Sequence, residues 1–295
     1  MCENSANFLI VPALSKGKWR ISLRFQITLP IFEKSLLYRI KDFLGVGNIY
    51  LGKRQCQLRI TKLTDLLNVI IPHFTKYPLL TKQVLKFKLW KRAVLIFKNE
   101  QHLTNPGRLL ILRLYVSIVN AIPFTFSEHF PNLVPISMPK YNLNISKLNG
   151  WWISGYFSIN CNFELNVTPR GWNLDYYNCL FHRFTAGRNI RDILIMSAIA
   201  DYLGANLYIR SNEERIDLQI HSLISASCLV NFFNTYHLES SKHAQFLIFT
   251  EFVRLANSYY SLPGMKKAKL GNNVDHFIKL SEQLTKLKYD TENNE

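Results

Sequence analysis

Apolar and polar residues alternate without a break over residues 19–28. Trp19, Ile21, Leu23, Phe25 and Ile27 fall on one side, and Arg20, Ser22, Arg24, Gln26 and Thr28 on the other. A period of two is the signature of a strand with one buried face. The apolar run at 8–13 precedes it, and SKGK at 15–18 reads as a turn, so the two runs predict a hairpin. A helix is predicted over 32–44, stopped by Gly45 and Gly47. Residues 48–51 and 54–61 predict a second hairpin around Gly52, with Gln55, Gln57, Arg59 and Thr61 opposite Cys56, Leu58 and Ile60. Three further helices are predicted. One opens at Thr64 and Asp65 and carries Pro72 inside it or at its end, the second starts at Thr81, and the third is entered through Asn105 and Pro106. Pro123, Pro131, Pro135 and Pro139 mark residues 120–149 as connecting chain.

The second half repeats the first. FLGVGNIY at 43–50 answers YLGANLY at 202–208, QLRITKL at 57–63 answers DLQIHSL at 217–223, and PHFTKYPLL at 72–80 answers VNFFNTYHL at 230–238. Leu44 and Leu203, Tyr77 and Tyr236, and Phe87 and Phe246 share one spacing of 159 residues. A constant spacing over separate segments marks an internal duplication. Each half then reads as an αββαββα unit, an α+β fold. The division is a first repeat at 1–125, a linker at 126–148 and a second repeat at 149–295.

Charge sharpens this picture. The chain of 295 residues carries a formal charge of +16, very unevenly spread. Through Thr125 there are 20 Lys and Arg against 5 Asp and Glu, and the remainder holds 16 against 15. A basic half beside a neutral one points to a polyanion, with nucleic acid ahead of an anionic membrane. The acid-free strand faces agree, because Arg and Gln pair bidentately with guanine and adenine edges in a groove that admits a two-stranded ribbon. The candidate contacts are Arg20, Arg24, Gln26, Gln55, Gln57 and Arg59 in the first half and Arg183 and Gln219 in the second. Lys82, Lys86, Lys88, Lys91 and Arg92 read as a solvated helix face or as phosphate contacts. Cys2, Cys56, Cys161, Cys179 and Cys228 form no CxxC pair and read as reduced, mostly buried thiols. The most apolar span, 109–126, is broken by Arg113, Asn120 and Pro123, so no membrane partner is expected. The first residues show neither a signal peptide nor a transit peptide.

The stretch GWWISGYFSINCNFEL at 150–165 reads as a helix running into a strand. Trp152, Gly155, Tyr156 and Ile159 share one helical face, and Gly155 leaves room for a second backbone. An amphipathic helix packed on its own sheet accounts for the same spacing. This stretch resembles the helix signature of the LAGLIDADG homing endonucleases, with Gly155 at the helix-packing glycine and Phe163 starting the first strand. FQITL at 25–29, HFTKYPLLTKQ at 73–83, NEQHLT at 99–104 and HFPNLVP at 129–135 resemble its two-repeat, single-chain fungal mitochondrial members.

The resemblance implies two αββαββα repeats forming a pseudo-dimeric saddle on DNA, in a monomer encoded by an organellar intron. It also implies one metal-binding carboxylate at the end of each signature helix, since Mg²⁺-assisted hydrolysis needs hard oxygen ligands. Those positions fall on Ser5 and Asn160. Glu3 lies two residues before one, and Glu164 four residues after the other. The first signature helix is expected to be truncated. Trp152 and Tyr156, lacking a complete partner helix for Gly155, are expected to be more exposed than in the family. The predicted function is nucleic-acid binding, to double-stranded DNA or intron RNA, with double-strand cleavage lost and no cofactor beyond Mg²⁺ for any residual activity. The alternatives are an active intron-encoded homing endonuclease and an RNA-binding maturase or ribonucleoprotein component.

Overall fold

The computed structural model describes residues 2–15, 18–130, 132–170, 177–260 and 274–293. The turn at 16–17 and the side chain of Cys179 lie outside the described residues. The chain divides into two compact units, 2–147 and 148–295.

In the first unit, helix α1 (Cys2–Ser5) leads into strands β1 (Ala6–Ser15) and β2 (Lys18–Pro30), then α2 (Lys34–Leu44), β3 (Asn48–Leu51) and β4 (Gln55–Ile60). The strands form one antiparallel sheet in the order β1-β2-β4-β3. Helices α3 (Leu63–Asp65), α4 (Ile71–Lys76), α5 (Gln83–Lys98), α6 (Asn105–Val119) and α7 (Phe124–His129) follow. Between α3 and α4, Leu66–Ile70 winds as a π-helix immediately before Pro72. A wider turn relieves the clash of a proline ring with the carbonyl four residues earlier, so Pro72 sits inside one continuous helical run. Phe126 and Ile136, within the expected linker, pack on the first unit. Trp19 stacks on Phe126 at 4.8 Å between ring centroids, and Ser117 Oγ accepts from the Ile136 amide at 2.7 Å.

The second unit repeats this plan with α8 (Gly150–Phe157), β5 (Asn162–Arg170), β6 (Tyr177–Asn189), α9 (Ile193–Leu203), β7 (Asn206–Arg210), β8 (Arg215–Ile220), α10 (Leu223–Thr235), α11 (Lys242–Tyr260) and α12 (Val274–Asn293). Its sheet order, β5-β6-β8-β7, matches that of the first. Helix α8 is shorter than its sequence suggests: Ser158 caps it, and Ile159 and Asn160 stand beyond its end. Among the described residues no helix is long and apolar enough to cross a membrane, and the apolar span at 109–126 breaks where α6 ends at Val119.

Each sheet buries one face against helices through the same aromatic set. Phe8 meets Phe25 at 5.4 Å, Phe74 at 5.2 Å, Phe87 at 5.1 Å and Trp90 at 5.3 Å. Phe163 meets Phe184 at 5.2 Å, Phe233 at 6.3 Å, Phe246 at 6.1 Å and Phe249 at 5.2 Å. Tilted and edge-on pairs at such separations contribute about 0.5–1.5 kcal/mol each beyond burial. Cys56 and Cys161 are buried, and burial pushes the Cys161 thiol up to about 12; Cys228 is exposed.

One core position differs chemically between the units. His182 occupies on β6 the place that Leu23 holds on β2, buried near Phe249 and Phe252. Burial depresses its pKa below 6.5. A depressed folded pKa contributes stability that is present above the unfolded value and lost as pH falls from about 6.5 through the folded value. Denaturant melts should therefore show second-unit stability falling over that window, and His182→Leu should flatten the fall.

Candidate nucleic-acid interface

Because Phe8, Phe25 and Phe163 must face the core, the intervening residues of each strand face away from it. On the first sheet this open face carries Asn7 from β1, Arg20, Ser22, Arg24, Gln26 and Thr28 from β2, Gln55, Gln57 and Arg59 from β4, and Asn48 and Tyr50 from β3. None of these is an acid. Register sets Gln26 opposite Arg59 and Thr28 opposite Gln57. Arg59 Nε and Nη2 donate to Gln57 Oε1 at 2.9 and 2.5 Å, and its guanidinium lies 4.6 Å over the Tyr50 ring. Gln26 Nε2 donates to Thr28 Oγ1 at 3.0 Å, and Arg24 Nη1 approaches Gln26 Oε1 at 3.5 Å. Of the six positions read from the sequence, Arg24, Gln26, Gln57 and Arg59 are thus joined, while Arg20 and Gln55 stand exposed toward strand ends.

The open face of the second sheet is built differently. Arg183 Nη2 and Nε lie 2.5 and 2.7 Å from Glu164 Oε2, and Asn162 Nδ2 donates to Glu164 Oε1 at 2.6 Å. Gln219 lies opposite Thr185 on one side and Asn206 on the other. Arg210 and Arg215 both pair with Asp217 at 2.7 Å. Sequence reasoning passed over these three residues, although the alternation in RIDLQI at 215–220 puts Arg215, Asp217 and Gln219 on one face. Among the described residues the second sheet is therefore largely self-neutralised where the first is uncompensated.

The helix tips explain the stray carboxylate near the chain start. Glu3 stands five residues before Phe8, as Ser158 stands five before Phe163. Glu3 accepts from the Leu80 amide at 2.6 Å, the Thr81 amide at 3.2 Å and Thr81 Oγ1 at 2.5 Å. Ser158 Oγ accepts from the Glu239 amide at 3.4 Å, and Ser240 Oγ donates to the Ser158 carbonyl. Both residues thus tie a helix tip to the chain leading into α5 or α11. Burial raises the Glu3 pKa, with the Thr81 and Leu80 hydrogen bonds opposing the rise.

Ser5 and Asn160 stand three residues before Phe8 and Phe163. Ser5 is buried and Asn160 half-buried. A hydroxyl and a neutral amide, with Glu3 and Glu164 already engaged, do not make a donor set for Mg²⁺. Among the described residues no group of three or more His, Cys, Asp or Glu is placed to hold a metal ion. The exposure expected of Tyr156 is corrected here: the ring is fully buried, stacked on Trp152 at 4.9 Å with the Arg188 guanidinium 4.5 Å over it. Trp152 and Gly155 are half-buried.

Duplicated αββαββα units with open antiparallel sheets define the class, and sequence comparison gives the family. The model for the LAGLIDADG endonuclease family matches residues 5–94 and 153–253. This chain belongs to that family. It is 29% identical over 255 residues to "Probable intron-encoded endonuclease 3" of Neurospora crassa, covering 84% of this chain and 47% of that protein. It is 27% identical over 250 residues to "Probable intron-encoded endonuclease 2" of the same fungus, covering 79% and 53%. The chain thus spans about half the length of the curated relatives it matches. Among solved structures, I-SmaMI bound to an uncleaved DNA target superposes with a TM-score of 0.85 at 20% identity, over 96% of each chain. I-GzeII in complex with its DNA target gives 0.82 at 23% identity, over 95% of this chain and 94% of that one.

Removing the Glu3 carboxylate should cost stability and leave metal response unchanged. Glu3→Ala strands the amides of Leu80 and Thr81, which corresponds to about 1–3 kcal/mol in a urea titration. Because ligand binding to the folded state alone raises its apparent stability, millimolar Mg²⁺ should not shift the midpoint of the unmodified chain.

Proposed function

We propose that this chain binds double-stranded DNA on the open faces of its two sheets and does not cut it. The observation that carries the reading is the first-sheet face, where Arg24 and Arg59 are oriented by Gln26 and Gln57 with no acid beside them. Cations gathered on one face without counter-charges repel one another, and a polyanion relieves that repulsion. Arg and Gln side chains held in register present hydrogen-bond edges to bases. The DNA complexes of I-SmaMI and I-GzeII support duplex DNA as the polyanion.

Loss of cleavage follows from Ser5 and Asn160. A hydroxyl and an amide offer Mg²⁺ neutral oxygens without the carboxylate charge that holds it against a phosphate, so no hydrolytic step is assigned to these residues. The names of the Neurospora relatives favour the other reading, an active homing endonuclease. They also support an intron-encoded, organellar origin. An RNA-binding maturase would use the same basic face.

Binding should be strongly salt-dependent, log K falling by about 0.9 per phosphate contacted for each tenfold rise in salt. Arg24→Ala and Arg59→Ala should each cost about 1–3 kcal/mol and relax base preference, whereas Lys86→Ala or Lys91→Ala should weaken all sequences alike. Duplex DNA should compete better than RNA for the bound probe. The unmodified chain, given a selected duplex with Mg²⁺ or Mn²⁺, should leave both strands intact, and Asn160→Glu alone should not restore cutting. Metal-dependent nicking by the unmodified chain, absent from a heat-inactivated control, refutes the loss of cleavage. Tighter binding to intron RNA than to any duplex DNA moves the function to RNA.

A further inference from the structure

The second sheet carries one arrangement that the first lacks. Strand β8 sets Arg215, Asp217 and Gln219 along its open face, and β7 brings Tyr208 opposite Asp217 and Arg210 opposite Arg215. The Asp217 side chain is only 3% exposed, and its two oxygens serve two guanidinium groups. Arg215 Nε lies 2.7 Å from Oδ1, and Arg210 Nε lies 2.7 Å from Oδ2. Opposite Asp217 on β6 is Gly187. A Cβ there would stand 2.7 Å from both Arg215 Nε and Asp217 Oδ1, and closer still to Arg215 Nη2. Glycine weakens a strand interior and marks a place of close approach. What approaches here is the Arg215 guanidinium, seated against the β6 backbone.

We propose that Gly187, Asp217 and Arg215 form a guanine-reading subsite, with Asp217 as its positioning residue. This rests on the duplex-DNA reading above. Arginine carries five N–H donors in a rigid fork. Spending Nε on Asp217 fixes the plane of the fork and leaves its outer edge, Nη1 and Nη2, which takes no hydrogen bond among the described residues. That edge matches the O6 and N7 acceptors of guanine in the major groove. A backbone phosphate also fits the edge geometrically, but Asp217 offsets part of the charge that would attract an anion there. Guanine carries no net charge, so the same carboxylate orients the reader without repelling what is read. Arg210 also reaches Glu213, with Nη1 3.5 Å from Oε1, which draws it toward the β7 end and leaves Arg215 as the reader.

The test is selection of bound duplexes from a randomised DNA pool, followed by sequencing, for the unmodified chain, Asp217→Asn and Arg215→Lys. Asp217→Asn keeps the shape and removes the charge; Arg215→Lys keeps the charge and removes the fork. The expected result is one position whose guanine preference falls on the order of tenfold in both variants while the other positions hold. Non-specific duplex affinity should meanwhile rise for Asp217→Asn, because a negative charge has left the face. Loss of a merely structural carboxylate produces no such opposite movement. Circular dichroism melts check that Asp217→Asn folds; if it does not, Arg215→Lys decides alone, since Asp217 keeps Arg210 as a partner. An unchanged profile overturns the inference, and so does uniform weakening at every position, which marks a phosphate contact. Failure of the unmodified chain to bind any duplex overturns the duplex-DNA reading, and this inference with it.

Discussion

Phe8 and Phe163 each take an early core-facing position on the first strand of a sheet, and the contacts they make decide what every other strand residue does. Phe25, Phe74 and Phe87 close around the first, and Phe184, Phe233 and Phe246 around the second. A slip of one residue in any of these strands would carry phenylalanines to water, so the register is strongly specified. The polar residues between them are then displayed on the opposite face in fixed order. The open face is in this sense a by-product of the core: Gln26 meets Arg59 because Phe25 meets Ile60.

The two units share that constraint and differ in what they display. The first sheet supports Arg24 and Arg59 with neutral amides and, for Arg59, the Tyr50 ring, whereas the second gives Arg183 to Glu164 and both Arg210 and Arg215 to Asp217. Uncompensated cations favour any polyanion and so supply affinity and fast encounter. Cations already held by a carboxylate supply less attraction but more orientation, which suits discrimination between bases. On the proposed duplex-DNA reading, the first sheet adds attraction to its base contacts and the second adds orientation.

Much of this was legible before any coordinates. The alternation over 19–28 and the spacing of 159 residues predict both sheets, their duplication and the open face of the first. What sequence hid depends on partners distant in the chain. In sequence Glu3 is only a carboxylate two residues off the expected acid position; the structure gives it a role, on the amides of Leu80 and Thr81. Tyr156 reads as exposed until Arg188 and Trp152 are seen to cover it. The Asp217 pairs depend on Arg210, which lies across the turn before β8, and alternation within β8 alone does not bring the two together. The early end of α8 and the π-helix before Pro72 are local backbone responses to capping and to a missing amide hydrogen, which hydrophobic periodicity does not encode.

The account stands on the open sheet faces being the surfaces that meet nucleic acid, and photo-crosslinking tests that directly. A photoreactive amino acid placed at Gln57 or Gln219 on the sheets, and in separate proteins at Phe43 or Tyr202 on exposed helix surfaces, is irradiated with a labelled DNA duplex. Strong crosslinks from Gln57 and Gln219, with little from Phe43 and Tyr202, are the predicted result. Crosslinks concentrated at Phe43 and Tyr202 would place the nucleic acid on the helices and contradict the account.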